Sequence, residues 1–444
     1  MAGLFGTSGI RGRYGIEITP GLAMKVGRAI GKAGGKVLVA QDARETSPVL
    51  CEALCAGAMH AGADAVSLAL APTPLLAYAT MRGKCAGAMI TASHNPPEYN
   101  GMKLFSGGME ISERQEKEVE ASILSGGRGV EWSKAGQRGS EDYSEEYISF
   151  LVSKVDASSI SARKPRVLVD CGNAAACKIA PLLLRKAGCE VVPLYCDSPG
   201  EFTRDLEPKK GTLAEASRVV KGKKCDFGIA FDGDGDRAIA IDENGEALAL
   251  DAQLAIFCSY FAKMQKGSKV ISTVEASLCV RKAVEEAGGK IEITPVGSRH
   301  VAEAVLRSGA CFGGEPCGEY VFPSSTPCAD GLLAALFIAE IFCKQGRLSA
   351  LSGKVQQHPI ERRKYKCAGK DKAKIMERLR GSLKLPGAKL SETDGLRFDF
   401  PDGWLLVRPS GTEPAIRLTC EFAKQGELKE TVAFAEKEIL AAIG

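Results

Sequence analysis

Cys225-Asp226-Phe227-Gly228-Ile229-Ala230-Phe231-Asp232-Gly233-Asp234-Gly235-Asp236-Arg237 is an apolar run that breaks into a loop with carboxylates at alternate positions. The run reads as a strand buried on both faces, as in a parallel sheet. Its plan recurs elsewhere in the chain. Residues 85–90 lead as a similar run into the loop 91–100, and Ala310-Cys311-Phe312 leads into Gly313-Gly314-Glu315-Pro316-Cys317-Gly318-Glu319-Tyr320. Ahead of each lies another strand-like run, Val37-Leu38-Val39-Ala40-Gln41-Asp42, Val167-Leu168-Val169-Asp170-Cys171 or Val270-Ile271-Ser272-Thr273. Roughly 40–60 residues separate the two runs of a unit, room for a helix, another strand and another helix. Three similar α/β domains with mixed sheets are therefore expected, with their loops facing one cleft if the domains pack around it. Beyond about residue 356 the chain turns charged and its strands come late, predicting a smaller α+β C-terminal domain. The expected boundaries are 1–150, 151–250, 251–355 and 356–444.

The Asp232 loop carries the strongest chemical signal. Three neighbouring carboxylates repel one another without a cation, and hard divalent ions take oxygen ligands. Asp232, Asp234 and Asp236 mimic the start of a calcium-binding EF-hand, with Glu243 at the twelfth position. That alternative fails because Arg237 stands at the sixth position, where glycine is needed, and a strand precedes the loop. Residues 238–242 read as a returning strand, closed through Glu243-Asn244-Gly245. Mg²⁺ is the expected ion, one per site.

The loop Thr91-Ala92-Ser93-His94-Asn95-Pro96-Pro97-Glu98-Tyr99-Asn100-Gly101-Met102-Lys103 follows a strand, and its Pro-Pro pair forces a turn. Ser93 is expected on a surface loop at a strand's C-terminal end, where open α/β sheets bind ligands. Neither Ser93 nor Ser8 fits the Gly-x-Ser-x-Gly hydrolase pattern. His94 is expected to be a poor base for Ser93, since neighbouring side chains on an extended chain diverge. A serine with no evident base is better explained as a phosphoryl carrier, whose oxygen would complete the ligands of the aspartate loop.

Three further stretches offer anion or hydroxyl contacts, each with a plainer alternative. Thr7, Ser8 and Arg11, in Phe5-Gly6-Thr7-Ser8-Gly9-Ile10-Arg11-Gly12, make an anion loop or a flexible turn. Glu315 and Glu319 accept from sugar hydroxyls or sit on a solvated turn; Arg299 and His300 lie near the cleft or begin a helix. Arg408, Ser410, Gly411, Thr412 and Arg417 form a phosphate cradle or a surface hairpin.

With 45% apolar and 25% charged residues, the 444-residue chain has the composition of a soluble globular protein. A net charge of +4 without a long basic run argues against nucleic acid as partner. Sixteen scattered cysteines and no Cys-x-x-Cys suggest reduced thiols in a cytoplasmic protein. The N-terminus lacks a signal pattern, and the most apolar run, 331–343, is too short for a membrane span and carries Glu340.

Taken together, the five loops resemble, in order and over the whole length, those of the α-D-phosphohexomutases. The resemblance implies a four-domain, heart-shaped enzyme that interconverts hexose 6-phosphate and 1-phosphate through a bound hexose 1,6-bisphosphate. It implies that Ser93 carries the phosphoryl group, Ser8 and Arg11 contact it, and Asp232, Asp234 and Asp236 bind Mg²⁺ together with phosphoserine 93. Lys103 becomes an acid/base candidate, Arg237 a substrate contact, and the Arg408 loop the grip on the substrate's phosphate. The family's sugar loop commonly reads Gly-Glu-x-Ser-Gly-His; here Cys317 and Glu319 replace the serine and histidine. The form Gly-Glu-Pro-Cys-Gly is most similar to archaeal-type phosphoglucosamine mutases. The implied partner is a small phosphosugar, with homodimerisation left open. A metal-dependent phosphatase or a non-catalytic sugar-phosphate binder would share some of these loops.

Overall fold

The structure, a computed structural model, describes residues 4–6, 8–197, 199–264, 267–411 and 414–444; the candidate residues Thr7 and Thr412 lie outside them. The chain forms two compact units. One runs to Gln253 and resumes over Cys317–Gly353; the other comprises Leu254–Pro316 and Lys354–Gly444. Compactness thus groups the chain more coarsely than the four-part division expected from sequence.

The first unit holds two mixed sheets. In the larger, Lys36–Gln41 runs parallel to both Asp64–Leu70 and Ala86–Ile90. Its Val-Leu-Val-Ala centre is buried on both faces, as the continuous apolar run requires. Tyr99–Ser106 returns antiparallel to Ala86–Ile90, and Ile10–Arg13 pairs antiparallel on its far side. The loop after Ala86–Ile90 is therefore pinned at both ends by sheet. In the second sheet Phe227–Phe231 lies parallel to Arg166–Asp170 and antiparallel to the returning strand Ala238–Ile241. The apolar run at 331–343 belongs to the helix Gly331–Gln345, whose body is buried in this unit. Its Phe342 ring lies 5.1 Å from that of Phe227. Glu340 is buried as well, and accepts the Asp156 backbone N–H at 2.7 Å. Among the described residues no helix is long and apolar enough to cross a membrane.

In the second unit, Lys269–Thr273 runs parallel to Lys290–Thr294 and to Phe312–Gly314. The last of these begins two residues later than the apolar run 310–312 suggested and continues through Gly313 and Gly314. An antiparallel sheet of five strands, Lys389–Ser391 to Ala415–Phe422 with Ile360–Lys366, forms the C-terminal part. One face packs on the helices Lys372–Ser382 and Gln425–Ile443 through Leu405, Val407, Leu418 and Cys420. The other face presents Trp404 and Leu406 to Val274, Leu278 and Val296.

A buried carboxylate ties this second face to the helix Leu278–Glu286. Glu421 accepts from Trp404 Nε1 at 2.7 Å, Ser277 Oγ at 2.6 Å and the Leu278 backbone N–H at 3.0 Å. A negative charge there also complements the positive end of the helix. Glu421→Ala would orphan all three donors and should cost about 3 kcal/mol. Urea denaturation of wild type, Glu421→Ala and Glu421→Gln checks this, with Gln expected to lose less than Ala.

Candidate active site

Ser93 sits where the strand Ala86–Ile90 gives way to the turn, and it is buried, not on the surface as its loop position suggested. Its backbone takes a left-handed φ of 51°, uncommon for a residue bearing a β-carbon. The Ser93 hydroxyl donates to Asp232 Oδ2 at 2.8 Å, which joins the serine loop to the aspartate loop. Gly233 makes this approach sterically open: a β-carbon there would lie 2.2 Å from the Ser93 carbonyl oxygen. The left-handed turn also overturns the expectation that the side chains of Ser93 and His94 diverge. Because the chain is not extended there, His94 Nδ1 comes within 3.3 Å of Ser93 Oγ. Burial, followed by the charges of Arg237 and Arg11, pushes the imidazole down to about 3, so it is neutral near pH 7.

Asp232, Asp234 and Asp236 all lie in the buried interior. Each offers a carboxylate oxygen, and these three lie within 4.8 Å of one another. Asp232 Oδ1 accepts the backbone N–H groups of Gly235 and Arg237 at 3.0 and 3.2 Å. Lys103, on the strand Tyr99–Ser106, donates to Asp234 Oδ2 at 2.8 Å and Asp236 Oδ2 at 2.6 Å. Burial and the two neighbouring aspartates push Asp232 well above the usual carboxylate range. Burial and Asp234 likewise raise Asp236 to about 6. Asp234 goes the other way: burial opposes it, but Lys103 and the Thr73 hydroxyl hold it well below. Among the described residues, Asp234 Oδ1 and Asp236 Oδ1 are buried without a hydrogen-bond partner. Buried carboxylate oxygens left in that condition are costly, and a hard divalent cation satisfies them. The acidic triad thus fits a metal site.

Around this centre the first unit gathers more of the expected residues. Arg11 Nη1 reaches Asn95 Oδ1 of the serine loop at 3.4 Å, while its Nε is buried with no partner among the described residues. Ser8 is half-buried in the preceding turn. Arg237 donates from Nη2 and Nε to Glu319 Oε1, at 2.6 and 2.9 Å. Against the pull of burial, Arg237 and Lys103 hold the Glu319 carboxyl below its usual range. Cys317, half-buried, precedes it by two residues.

Two participants escaped the sequence reading. Thr73 opens the helix Thr73–Gly83, donating its hydroxyl to Asp234 Oδ2 at 2.5 Å and its backbone N–H to the Asp234 carbonyl at 2.8 Å. Arg44 lies buried beneath the serine loop and donates to the carbonyls of Ser93, Asn95, Pro96 and Tyr99. The available signals were Pro72-Thr73-Pro74 and Asp42-Ala43-Arg44, each shortly after a strand's C-terminal end.

The remaining candidates belong to the second unit. Glu315 Oε2 accepts the Gly297 N–H at 3.0 Å, capping the helix Ser298–Ser308 that carries Arg299 in its first turn. Arg299 thus begins that helix. Arg408 and Arg417 stand directly opposite each other on adjacent strands, and Lys364 stands opposite Arg417 on the next. Like charges so paired are unfavourable by themselves, and an anion relieves them. Glu275 and Asp394 offset part of the Arg408 charge, at 2.8 and 3.8 Å. Ser410 Oγ is buried and has no partner among the described residues, whereas Gly411 is exposed.

Comparison with known proteins accounts for this arrangement. Family models for phosphoglucomutase/phosphomannomutase match end to end: the α/β/α domains I, II and III at residues 2–128, 145–245 and 250–358, and the C-terminal domain at 364–438. A Methanocella arvoryzae protein named "Probable phosphoglucosamine mutase" is 39% identical over 98% of this chain and 97% of its own. A Methanothermobacter thermautotrophicus protein of the same name is 40% identical, covering 94% and 93%. The crystal structure of a Burkholderia thailandensis phosphoglucomutase/phosphomannomutase family protein superposes with a TM-score of 0.88 at 28% identity, over 99% of this chain and 97% of its own. The fold and the matches define an α/β phosphohexomutase, an isomerase. The chain belongs to the phosphoglucomutase/phosphomannomutase family, whose members use a metal ion and a bisphosphate intermediate.

Proposed function

We propose that this chain converts glucosamine 6-phosphate to glucosamine 1-phosphate, with Ser93 as phosphoryl carrier and one Mg²⁺ at Asp232, Asp234 and Asp236. The observation that carries this reading is the 2.8 Å hydrogen bond from Ser93 Oγ to Asp232, beside two buried carboxylate oxygens that have no partner among the described residues. Phosphoserine 93 gives its phosphoryl group to the sugar's free hydroxyl, forming the 1,6-bisphosphate and leaving the serine hydroxyl. The sugar turns over, and Ser93 takes the other phosphoryl group back. Mg²⁺, when bound, supplies charge neutralisation at the transferring group. Lys103 stands as acid/base candidate beside the same carboxylates, and Ser8 and Arg11 contact the phosphoryl group. Arg237, paired with Glu319, and Cys317 are the sugar contacts proposed in the first unit, and Glu315 and Arg299 those proposed in the second. Arg408, Ser410, Gly411, Thr412 and Arg417 hold the phosphate that is not reacting. The working division is 1–150, 151–250, 251–355 and 356–444, and free thiols suit a cytoplasmic enzyme.

Glucosamine differs from glucose and mannose by an ammonium at carbon 2, and Glu315 and Glu319 give the sugar loop two anions, the second standing where the family commonly has a histidine. A charge-assisted hydrogen bond to that ammonium would set the preference. Glucosamine phosphate should show the highest kcat/KM of the three sugars, and Glu319→Gln should narrow the gap to glucose phosphate. Coupled assays on each 6-phosphate, following isomerisation and inorganic phosphate separately, test the reading. Release of phosphate as the main product would make the protein a phosphatase, and a clear preference for glucose or mannose phosphate would move it to phosphoglucomutase/phosphomannomutase activity.

A further inference from the structure

We infer that Arg44 is the positioning residue that holds Ser93 for phosphoryl transfer, an inference that rests on the reading of Ser93 as carrier. The side chain is buried, yet its guanidinium contacts backbone oxygens in place of solvent. Nη2 donates to the Ser93 and Asn95 carbonyls at 2.8 and 2.7 Å, and Nη1 to those of Pro96 and Tyr99 at 2.6 and 3.0 Å. Four carbonyls of one loop thus converge on one planar cation. A fork of fixed donors can span them; a lysine's single ammonium cannot.

The same network grips the other side of Ser93. Arg44 Nε donates to Asp42 Oδ2 at 3.0 Å. That carboxylate oxygen also accepts the Thr91 hydroxyl at 2.7 Å, and Thr91 Oγ1 accepts the Ser93 backbone N–H at 2.8 Å. Both backbone polar groups of Ser93 therefore end on one closed ring: N–H to Thr91, Thr91 to Asp42, Asp42 to Arg44, Arg44 back to the Ser93 carbonyl. The ring spans a residue whose left-handed backbone is unfavourable unless its surroundings hold it. Asp42 is fixed in turn by the Ser47 hydroxyl at 2.6 Å and the Arg44 N–H at 3.0 Å. A reacting oxygen misplaced by about 1 Å can lose about 100-fold in rate, so a ring that sets the Ser93 torsions acts on the chemical step.

Arg44→Lys should lower kcat about 100-fold with KM for glucosamine 6-phosphate within about twofold. Thr91→Val, which removes the acceptor of the Ser93 N–H and a donor to Asp42 without adding or deleting a charge, should lower kcat about tenfold. The rate at which dephosphorylated Ser93 takes a phosphoryl group from glucose 1,6-bisphosphate should fall in the same proportions. Guanidinium ion should restore about tenfold of the activity lost in Arg44→Ala. Retention of kcat within threefold in Arg44→Lys would overturn the inference. So would a loss of activity that only follows the unfolded fraction measured by circular dichroism, or a rise in KM at unchanged kcat. Ser93→Ala, assayed alongside, separates the failures: an active Ser93→Ala removes the carrier and this inference with it, whereas an inactive Ser93→Ala beside a fully active Arg44→Lys removes the inference alone.

Discussion

Ser93→Ala should abolish turnover, by roughly four orders of magnitude or more, the scale expected when the group forming a covalent intermediate is deleted. The fold should survive. Ser93 is buried, but its hydroxyl is a small polar group that among the described residues reaches only Asp232 and the neighbouring His94, and Asp232 keeps its backbone donors at Gly235 and Arg237. Intact-mass measurement of purified wild type should find one phosphoryl group, absent from Ser93→Ala. Circular dichroism should give the two proteins the same folded fraction. Wild-type turnover in the mutant would remove the phosphoserine mechanism altogether.

Chelation should have the next largest effect. EDTA is expected to inactivate the enzyme and added Mg²⁺ to restore it. Asp234→Asn should lose on the order of 10²–10³-fold in kcat with no rescue by Mg²⁺. Asp234 is the informative position because its Oδ2 is already held by Lys103 and Thr73 while its Oδ1 has no partner among the described residues. Asparagine keeps the first oxygen's shape but weakens the charge that a cation needs. Activity indifferent to EDTA would reassign the three aspartates to an electrostatic role around Lys103.

Much of this architecture was legible because local pattern carried it. The buried strands announced themselves as apolar runs, and the close spacing of Asp232, Asp234 and Asp236 marked out the buried acidic triad. What stayed hidden depends on distance along the chain. Arg44 meets carbonyls 49–55 residues away, and nothing in Asp42-Ala43-Arg44 says which backbone it will bind. Thr73 reaches Asp234 across 161 residues. The burial of Ser93 and its approach to His94 follow from a left-handed backbone that sequence does not display, since glycine, not serine, is the usual marker of that conformation. Arg237 and Glu319 were each read as contacts to a sugar; their ion pair appears only once two distant loops are side by side.

The interleaving of the two compact units bears on how the chain is made. The first unit is not complete at Gln253, because Cys317–Gly353, with the buried helix Gly331–Gln345, belongs to it. During synthesis from the N-terminus, the apolar surface that this helix covers must wait until Gly353 has left the ribosome, with residues 254–316 emerging in between. A nascent chain stalled at residue 253 would thus already carry Ser93 and all three aspartates, yet lack the segment that closes their unit.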